Sequence, residues 1–71
     1  MIEIIEMTVY TEEKGYSEVS RLLYDYGAKI ISQELTEDGT EIEIECYKDE
    51  LENIEMVLYQ HDSVIDHTTN M

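Results

Sequence analysis

The strongest structural signal in this sequence is Asp38-Gly39, which stands between two runs of alternating apolar and polar residues, 28–35 and 40–47. A period of two is typical of a β-strand with one buried face. Asp-Gly favours a two-residue type I′ turn, because both central positions of that turn need positive φ. The sequence therefore predicts a β-hairpin.

A type I′ turn at Asp38-Gly39 also fixes the register of this hairpin. On one side it pairs Leu35 with Ile42, Gln33 with Ile44 and Ile31 with Cys46. On the other side it pairs Thr36 with Glu41, Glu34 with Glu43 and Ser32 with Glu45. We expect the first side to face the core and the second to form an acidic surface.

Hydrophobic periodicity predicts two more strands and two helices. Residues 2–10 alternate as a first strand, and residues 16–26 have the spacing of an amphipathic helix that ends at Gly27. A second helix follows Lys48, with Asp49 as a candidate N-cap, and stops near His61. Residues 64–68 are predicted as a short last strand, with residues 70–71 frayed.

The predicted order, β-α-β-β-α-β, is that of the ferredoxin-like α+β fold, an antiparallel sheet with both helices on one face. We expect one domain over residues 1–71. The helices should cover the apolar face of the sheet, which is Ile5, Met7, Val9, Ile31, Leu35, Ile42 and Ile44. The open face should then carry five carboxylates, those of Glu6, Glu34, Glu41, Glu43 and Glu45.

Charge is the main indication of function. The 71 residues include 18 Asp and Glu against four Lys and Arg, for a formal net charge of −14. A hydrophobic content of 42% and the absence of proline favour a folded chain over a disordered one. Repulsion among this many like charges opposes compaction of the chain. We therefore expect the negative electrostatic field of the folded protein to serve binding to a basic partner.

The sequence Glu-Ile-Glu-Ile-Glu at residues 41–45 spaces three carboxylates at about 6.8 Å along one strand face. Such a surface can occupy a groove whose Lys and Arg side chains normally neutralise phosphates. The predicted partner-binding residues are Glu6, Glu34, Glu41, Glu43, Glu45 and Tyr47. Two alternatives stay open: these glutamates serve only as the polar side of a half-buried strand, or the binding surface lies on a helix side.

Catalysis is not predicted, because the sequence contains no phosphate-binding glycine loop and no recognisable nucleophile-base pair. Cys46 is the only cysteine, and its alternation with Ile42 and Ile44 favours a buried thiol. No cofactor and no metal is predicted. A weaker alternative is a cation or metal site in the tail of His61, Asp62, Asp66 and His67, which truncation would test.

The chain length, the charge and the lack of a catalytic group resemble the small acidic inhibitors that phages make against restriction or CRISPR enzymes. That resemblance implies stoichiometric binding to a nuclease or its guide-RNA complex in competition with DNA. Direct nucleic-acid binding is not expected from so acidic a chain.

A second resemblance covers residues 16–58. The helix end Tyr26-Gly27-Ala28, the segment Leu35-Thr36-Glu37-Asp38 and the run Ile42-Glu43-Ile44-Glu45 before an acidic helix are similar to the C-terminal ferredoxin-like domain of the IMPACT family. Those domains are associated with nucleic acid or the translation apparatus. A net charge of −14 departs from that role, so the resemblance implies the fold and not the function.

The alternative function is a dimeric structural or regulatory module whose acidity serves solubility. In that case Ile4, Ile30 and Met56 should be buried between two copies. The start of the sequence contains Glu3 and Glu6 but no basic segment or long apolar stretch. We therefore expect no membrane association and a cytoplasmic protein, in a bacterial host if it is phage-encoded.

Overall fold

The computed structural model describes residues 3–70, which form four strands, two α-helices and one 3₁₀ turn. In chain order these elements are β1 (Ile4–Thr11), the 3₁₀ turn (Glu13–Gly15), α1 (Tyr16–Asp25), β2 (Lys29–Thr36), β3 (Gly39–Tyr47), α2 (Lys48–Gln60) and β4 (Val64–Asn70). The strands lie in the order β2-β3-β1-β4, and every neighbouring pair is antiparallel. This arrangement confirms the predicted α+β ferredoxin-like fold.

A single apolar core lies between the helices and one face of the sheet. Strands β1 and β3 occupy the middle of the sheet, so their alternating apolar residues are the most deeply buried. The helices contribute Val19, Leu23, Ile54 and Leu58 to the same cluster. The strand residues of the core are Ile5, Met7, Val9, Ile42, Ile44 and Cys46.

Helix α1 ends where the sequence predicts. Gly27 has φ of +83°, a conformation that L-residues with a side chain rarely adopt. The N–H of Gly27 donates to the carbonyl of Tyr24, and the N–H of Ala28 donates to that of Leu23, both at 3.0 Å. These two bonds form a Schellman motif that satisfies the last carbonyls of the helix.

Helix α2 and strand β4 differ from the prediction at their ends. The N-cap position of α2 is occupied by Tyr47, which makes no side-chain capping bond, and Asp49 lies inside the first turn. A carboxylate there still interacts favourably with the helix dipole. Asn70 pairs with Glu6 in the sheet and is not frayed, whereas the predicted strand residue Ile2 and the terminal Met71 lie outside the described residues.

The predicted type I′ turn at Asp38-Gly39 is wrong. Thr36 pairs with Gly39, so Glu37 and Asp38 form the two-residue connection, and no described residue other than glycine has positive φ. Gly39 has φ of +150°, and a Cβ at this position would lie 2.0 Å from the carbonyl oxygen of Thr11. The glycine is needed because β1 approaches closely, and it takes no central position in the turn.

The changed turn moves the hairpin register by two residues and introduces a bulge. Leu35 pairs with Thr40, Gln33 pairs with Ile42, and the register shifts between Ile30 and Ser32. The predicted core residue Leu35 stays on the helix side of the sheet but is 67% exposed, and Ile31, which lies at the bulge, is 46% exposed. Ile30 takes the place of Ile31 on the core side and is partly buried.

This register predicts very different costs for two aliphatic truncations in one hairpin. Ile42→Ala leaves a cavity at a fully buried position and should lower the free energy of unfolding by about 3 kcal/mol. Leu35→Ala removes a side chain that is already mostly in water, so its effect should stay within about 0.5 kcal/mol. Urea unfolding of both variants measures the difference, and equal losses would contradict the exposed position of Leu35.

Candidate acidic interface

The face of the sheet opposite the helices is built from alternate residues of all four strands. Pairing places these residues in rows that run across the strands in the order β2, β3, β1, β4. The three complete rows are Glu34-Glu41-Tyr10-Asp66, Ser32-Glu43-Thr8-Thr68 and Lys29-Glu45-Glu6-Asn70. We call Glu6, Glu34, Glu41, Glu43 and Glu45 together the acidic face.

All six of the predicted partner-binding residues lie on this side of the sheet. Glu6, Glu34 and Glu43 are exposed, whereas Glu41 and Glu45 are partly buried by their neighbours. Tyr47 is half-exposed and lies at the end of β3, where it pairs with Ile4. The structure thus brings the predicted residues together on one face of the sheet.

Two pairs of carboxylates in the acidic face are direct cross-strand neighbours. Glu34 is opposite Glu41, in place of the predicted Glu43, and Glu6 is opposite Glu45. Directly opposite residues have Cβ atoms about 5 Å apart, and like charges in such positions destabilise a sheet. The repulsion within these two pairs therefore lowers the free energy of unfolding.

Basic residues of the chain do little to neutralise the acidic face. Among residues 3–70, the Lys ion pairs join Lys48 to Glu3 at 3.3 Å and Lys14 to Glu12 at 3.8 Å, and neither carboxylate belongs to this face. Lys29 is the one cation in the three rows, next to Glu45. Among residues 3–70, the carboxylates of the acidic face thus have no salt-bridge partner.

Several residues of this surface were not predicted from the sequence. Asp66 extends the acidic row beyond Tyr10, and Ile31 lines a depression with Glu6, Thr8, Glu43 and Glu45. The position of Asp66 depends on the pairing of β4 with β1, whose register shifts between Tyr10 and Thr11, and the position of Ile31 depends on the bulge in β2. The alternation of apolar and polar residues in the sequence does not reveal either of these register shifts.

The acidic residues of the helices and of the connection between β1 and α1 lie away from this surface. Glu18 is on α1, and Glu50, Glu52 and Glu55 are on α2, on the helical side of the molecule. Glu12 and Glu13 lie at the connection between β1 and α1. The sheet thus separates the carboxylates of the helices from the acidic face, and only the acidic face has the fixed spacing of strand residues.

Cys46 is a buried thiol, as predicted, at 3% exposure. Burial raises the pKa of the Cys46 thiol, and the nearby carboxylates of Glu55 and Glu50 raise the same pKa further. The reactive thiolate is thus disfavoured in the folded protein.

We expect native Cys46 to react with an aromatic disulfide reagent at neutral pH at least about tenfold more slowly than in urea. Burial blocks access, and the raised pKa reduces the thiolate fraction. The absorbance of the released thiolate measures both rates. Equal rates with and without urea would contradict the buried position.

The two histidines of the tail have separate environments. The Nδ1 atom of His61 accepts a hydrogen bond from the N–H of Ser63 at 3.1 Å, and its Nε2 atom is 3.4 Å from the carboxylate of Glu18. His67 instead packs edge-on against Tyr59, with ring centroids 5.1 Å apart. Within residues 3–70, no group of three or more His, Cys, Asp and Glu side chains is arranged to hold a metal ion.

Neither helix within residues 3–70 has the length and apolar character needed to cross a membrane. No protein-family model matches the chain, and no curated protein matches it either.

Proposed function

We propose that this protein is a non-enzymatic acidic inhibitor that binds the positively charged nucleic-acid groove of a nuclease or defence complex. The observation that carries the proposal is the acidic face, in which five carboxylates lie on one side of the sheet without salt-bridge partners among residues 3–70. Two of its cross-strand contacts are repulsive, so the arrangement costs folding free energy. A basic partner would relieve this repulsion on binding.

Recognition would use the same groups that hold DNA. Arg and Lys side chains that neutralise phosphates also form charge-assisted hydrogen bonds with carboxylates. Tyr10 lies between Glu41 and Asp66 in one row, and Tyr47 continues the face beyond Glu45. An Arg side chain can pair with a carboxylate and stack on an adjacent tyrosine ring, which favours Arg-rich grooves.

The class of phage inhibitors directed against CRISPR and restriction enzymes fits this mode of binding. Such an inhibitor acts by occupying the groove and needs neither an active site nor a cofactor. Its complex would form in the cytoplasm of a bacterial host.

Affinity capture tests the proposal. The protein is immobilised and exposed to a bacterial lysate at low salt, and it is then eluted separately by high salt and by duplex DNA. We expect both eluates to contain the same nucleic-acid-binding protein, because salt screens the contacts and DNA competes for the groove. A captured protein that high salt and DNA both fail to release would contradict DNA mimicry.

A dimeric module is the second candidate, and one observation favours it. Ile4 and Tyr47 are cross-strand neighbours at one end of the open face, and they are 58% and 50% exposed. Ile30, which was predicted to lie in such an interface, instead packs against the core. Sedimentation of the protein alone distinguishes the two candidates, because a dimer that survives high salt and is broken by Ile4→Lys would support the module.

A further inference from the structure

We propose that the free edge of β2 binds an extended segment of the basic partner, which adds to the sheet as a further strand. This inference rests on the proposed function and specifies a second contact beside the acidic face. The segment would alternate basic residues with aliphatic ones.

The sheet has two edges, and they differ in their availability. On β4 the N–H of His67 donates to the Oδ1 atom of Asp66 at 2.8 Å, so an amide of that edge is already satisfied within the chain. On β2 all residues except Ile30 are exposed, and among residues 3–70 no element covers its outer side. Alternate N–H and C=O groups of an edge strand point outward, so β2 can pair with another strand.

The regular part of this edge is residues 32–36, which lie between the bulge and the turn. Natural edge strands are commonly protected from pairing by Lys or Pro residues. Residues 32–36 have the sequence Ser-Gln-Glu-Leu-Thr and contain neither. The one charged residue of this segment, Glu34, repels an acidic strand but attracts a basic one. The bulge at the other end of β2 limits pairing to this short segment, which favours a specific contact over extended aggregation.

The two sides of residues 32–36 have different chemistry. On the open side, Glu34 is exposed and lies directly beside Glu41 of the next strand. On the helix side, Leu35 is 67% exposed next to the buried Thr40. Because side chains alternate along a strand, a segment paired with β2 meets the carboxylate of Glu34 on one side and the aliphatic side chain of Leu35 on the other.

A second copy of the chain fits this edge poorly. Antiparallel pairing of residues 32–36 with themselves centres on Glu34 and sets two Glu34 carboxylates opposite each other, where like charges destabilise a sheet. Each copy also brings a net charge of −14. A segment that alternates Arg or Lys with Val, Ile or Leu matches both sides of the edge and reduces the charge.

Calorimetric titration with synthetic peptides at low salt tests the inference. The first peptide alternates Arg and Val. The second has the same sequence but is N-methylated at every residue, and the third has the same composition with Arg and Val in separate blocks. We expect the alternating peptide to bind about tenfold more tightly than the other two, because it alone combines free N–H donors with the matching alternation.

A matched pair of variants locates the contact. Leu35→Lys should reduce binding of the alternating peptide about tenfold, to the level of the block peptide. Met56→Lys makes the same change of charge at a comparably exposed apolar residue on α2 and should leave the affinity unchanged. Both positions are mostly exposed, so neither variant should unfold the protein.

The outcomes separate this inference from the proposed function. Equal affinity for all three peptides, with Leu35→Lys without effect, would overturn edge binding. Even in that case, the acidic face remains a cation-binding surface if changing Glu41, Glu43 and Glu45 of the protein to Gln lowers its affinity for the block peptide. Failure of every peptide to bind would contradict both proposals. A dimer of the protein alone that Leu35→Lys dissociates would show that a second copy occupies the edge and would also overturn the inference.

Discussion

Reversing the charge of Glu41, Glu43 and Glu45 to Lys should weaken binding to the basic partner by at least about a hundredfold, without unfolding the protein. The three side chains occupy one strand of the open face, so the change replaces the centre of the acidic face with positive charge. A hundredfold loss corresponds to about 2.7 kcal/mol, which is modest for three lost charge-assisted contacts. Calorimetry of the variant with the captured partner measures the loss.

The same variant should be at least as stable as the parent protein. Glu41→Lys sets opposite charges against Glu34, and Glu45→Lys does so against Glu6, while Glu45→Lys also sets like charges against Lys29. Two repulsive pairs are thus replaced by two favourable pairs and one repulsive pair. Each favourable cross-strand pair contributes about 0.2–1 kcal/mol. Thermal unfolding measures this, and a clear loss of stability would show that these glutamates serve the fold.

A triple variant with the same change of charge on the other side of the molecule is the matched control. Glu13, Asp25 and Glu52 are exposed and belong to the helical side or its connections. Changing these three to Lys should weaken partner binding only slightly, through the long-range field. If both triples weaken binding equally, the net charge determines affinity and the acidic face has no special role.

Gly39→Ala should have the largest effect on stability of any small substitution in the hairpin. A Cβ at this position would lie 2.0 Å from the carbonyl oxygen of Thr11, so the backbone of β1 or β3 would have to move. The φ of +150° is also unfavourable for alanine. We expect a loss of about 3 kcal/mol or more in the free energy of unfolding, a large part of the total for a domain of this size.

Gly27→Ala is the control for the conformational part of that cost. Gly27 also has positive φ, at +83°, but no atom lies within 4 Å of the position that a Cβ would take. Its loss should be about 1 kcal/mol, the ordinary cost of alanine in a left-handed conformation. Urea unfolding of both variants compares them, and equal losses would contradict the close approach of β1 to Gly39.

Most of the fold could be predicted because the central strands are covered on one face only. Ile5, Met7 and Val9 alternate cleanly, as do Ile42 and Ile44, and all five are buried. A pattern of this kind is a direct consequence of a half-buried strand, so it could be recognised without knowing the pairing. The end of α1 was equally clear, because Gly27 supplies a conformation that other residues avoid.

The hairpin register could not be predicted, because Gly39 follows Asp38 as a turn glycine would, whereas it is required by packing against β1. Asp-Gly is a strong turn signal, but this glycine is required by the approach of Thr11, which lies far away in the sequence. The bulge in β2 then exposes Ile31 and brings Ile30 toward the core. Edge strands allow such irregularities because only one neighbour fixes their pairing.

The side of the sheet on which the predicted glutamates lie was predicted correctly, although the register from which it was derived was wrong. A shift by two residues keeps each side chain on its face, so Glu34 remained on the open side although its neighbour changed from Glu43 to Glu41. Asp66 was missed because the pairing of the last strand with β1 depends on long-range contacts.

The most direct test of the proposed function is competition between this protein and duplex DNA for the captured partner. Labelled DNA is bound to the partner at low salt, the protein is added in increasing amounts, and fluorescence anisotropy reports how much DNA stays bound. We expect complete release of the DNA near a one-to-one ratio of protein to partner, with no release by the Glu41, Glu43 and Glu45 charge-reversal variant. A stable complex that contains the partner, the DNA and this protein together would show that the acidic face does not occupy the nucleic-acid groove.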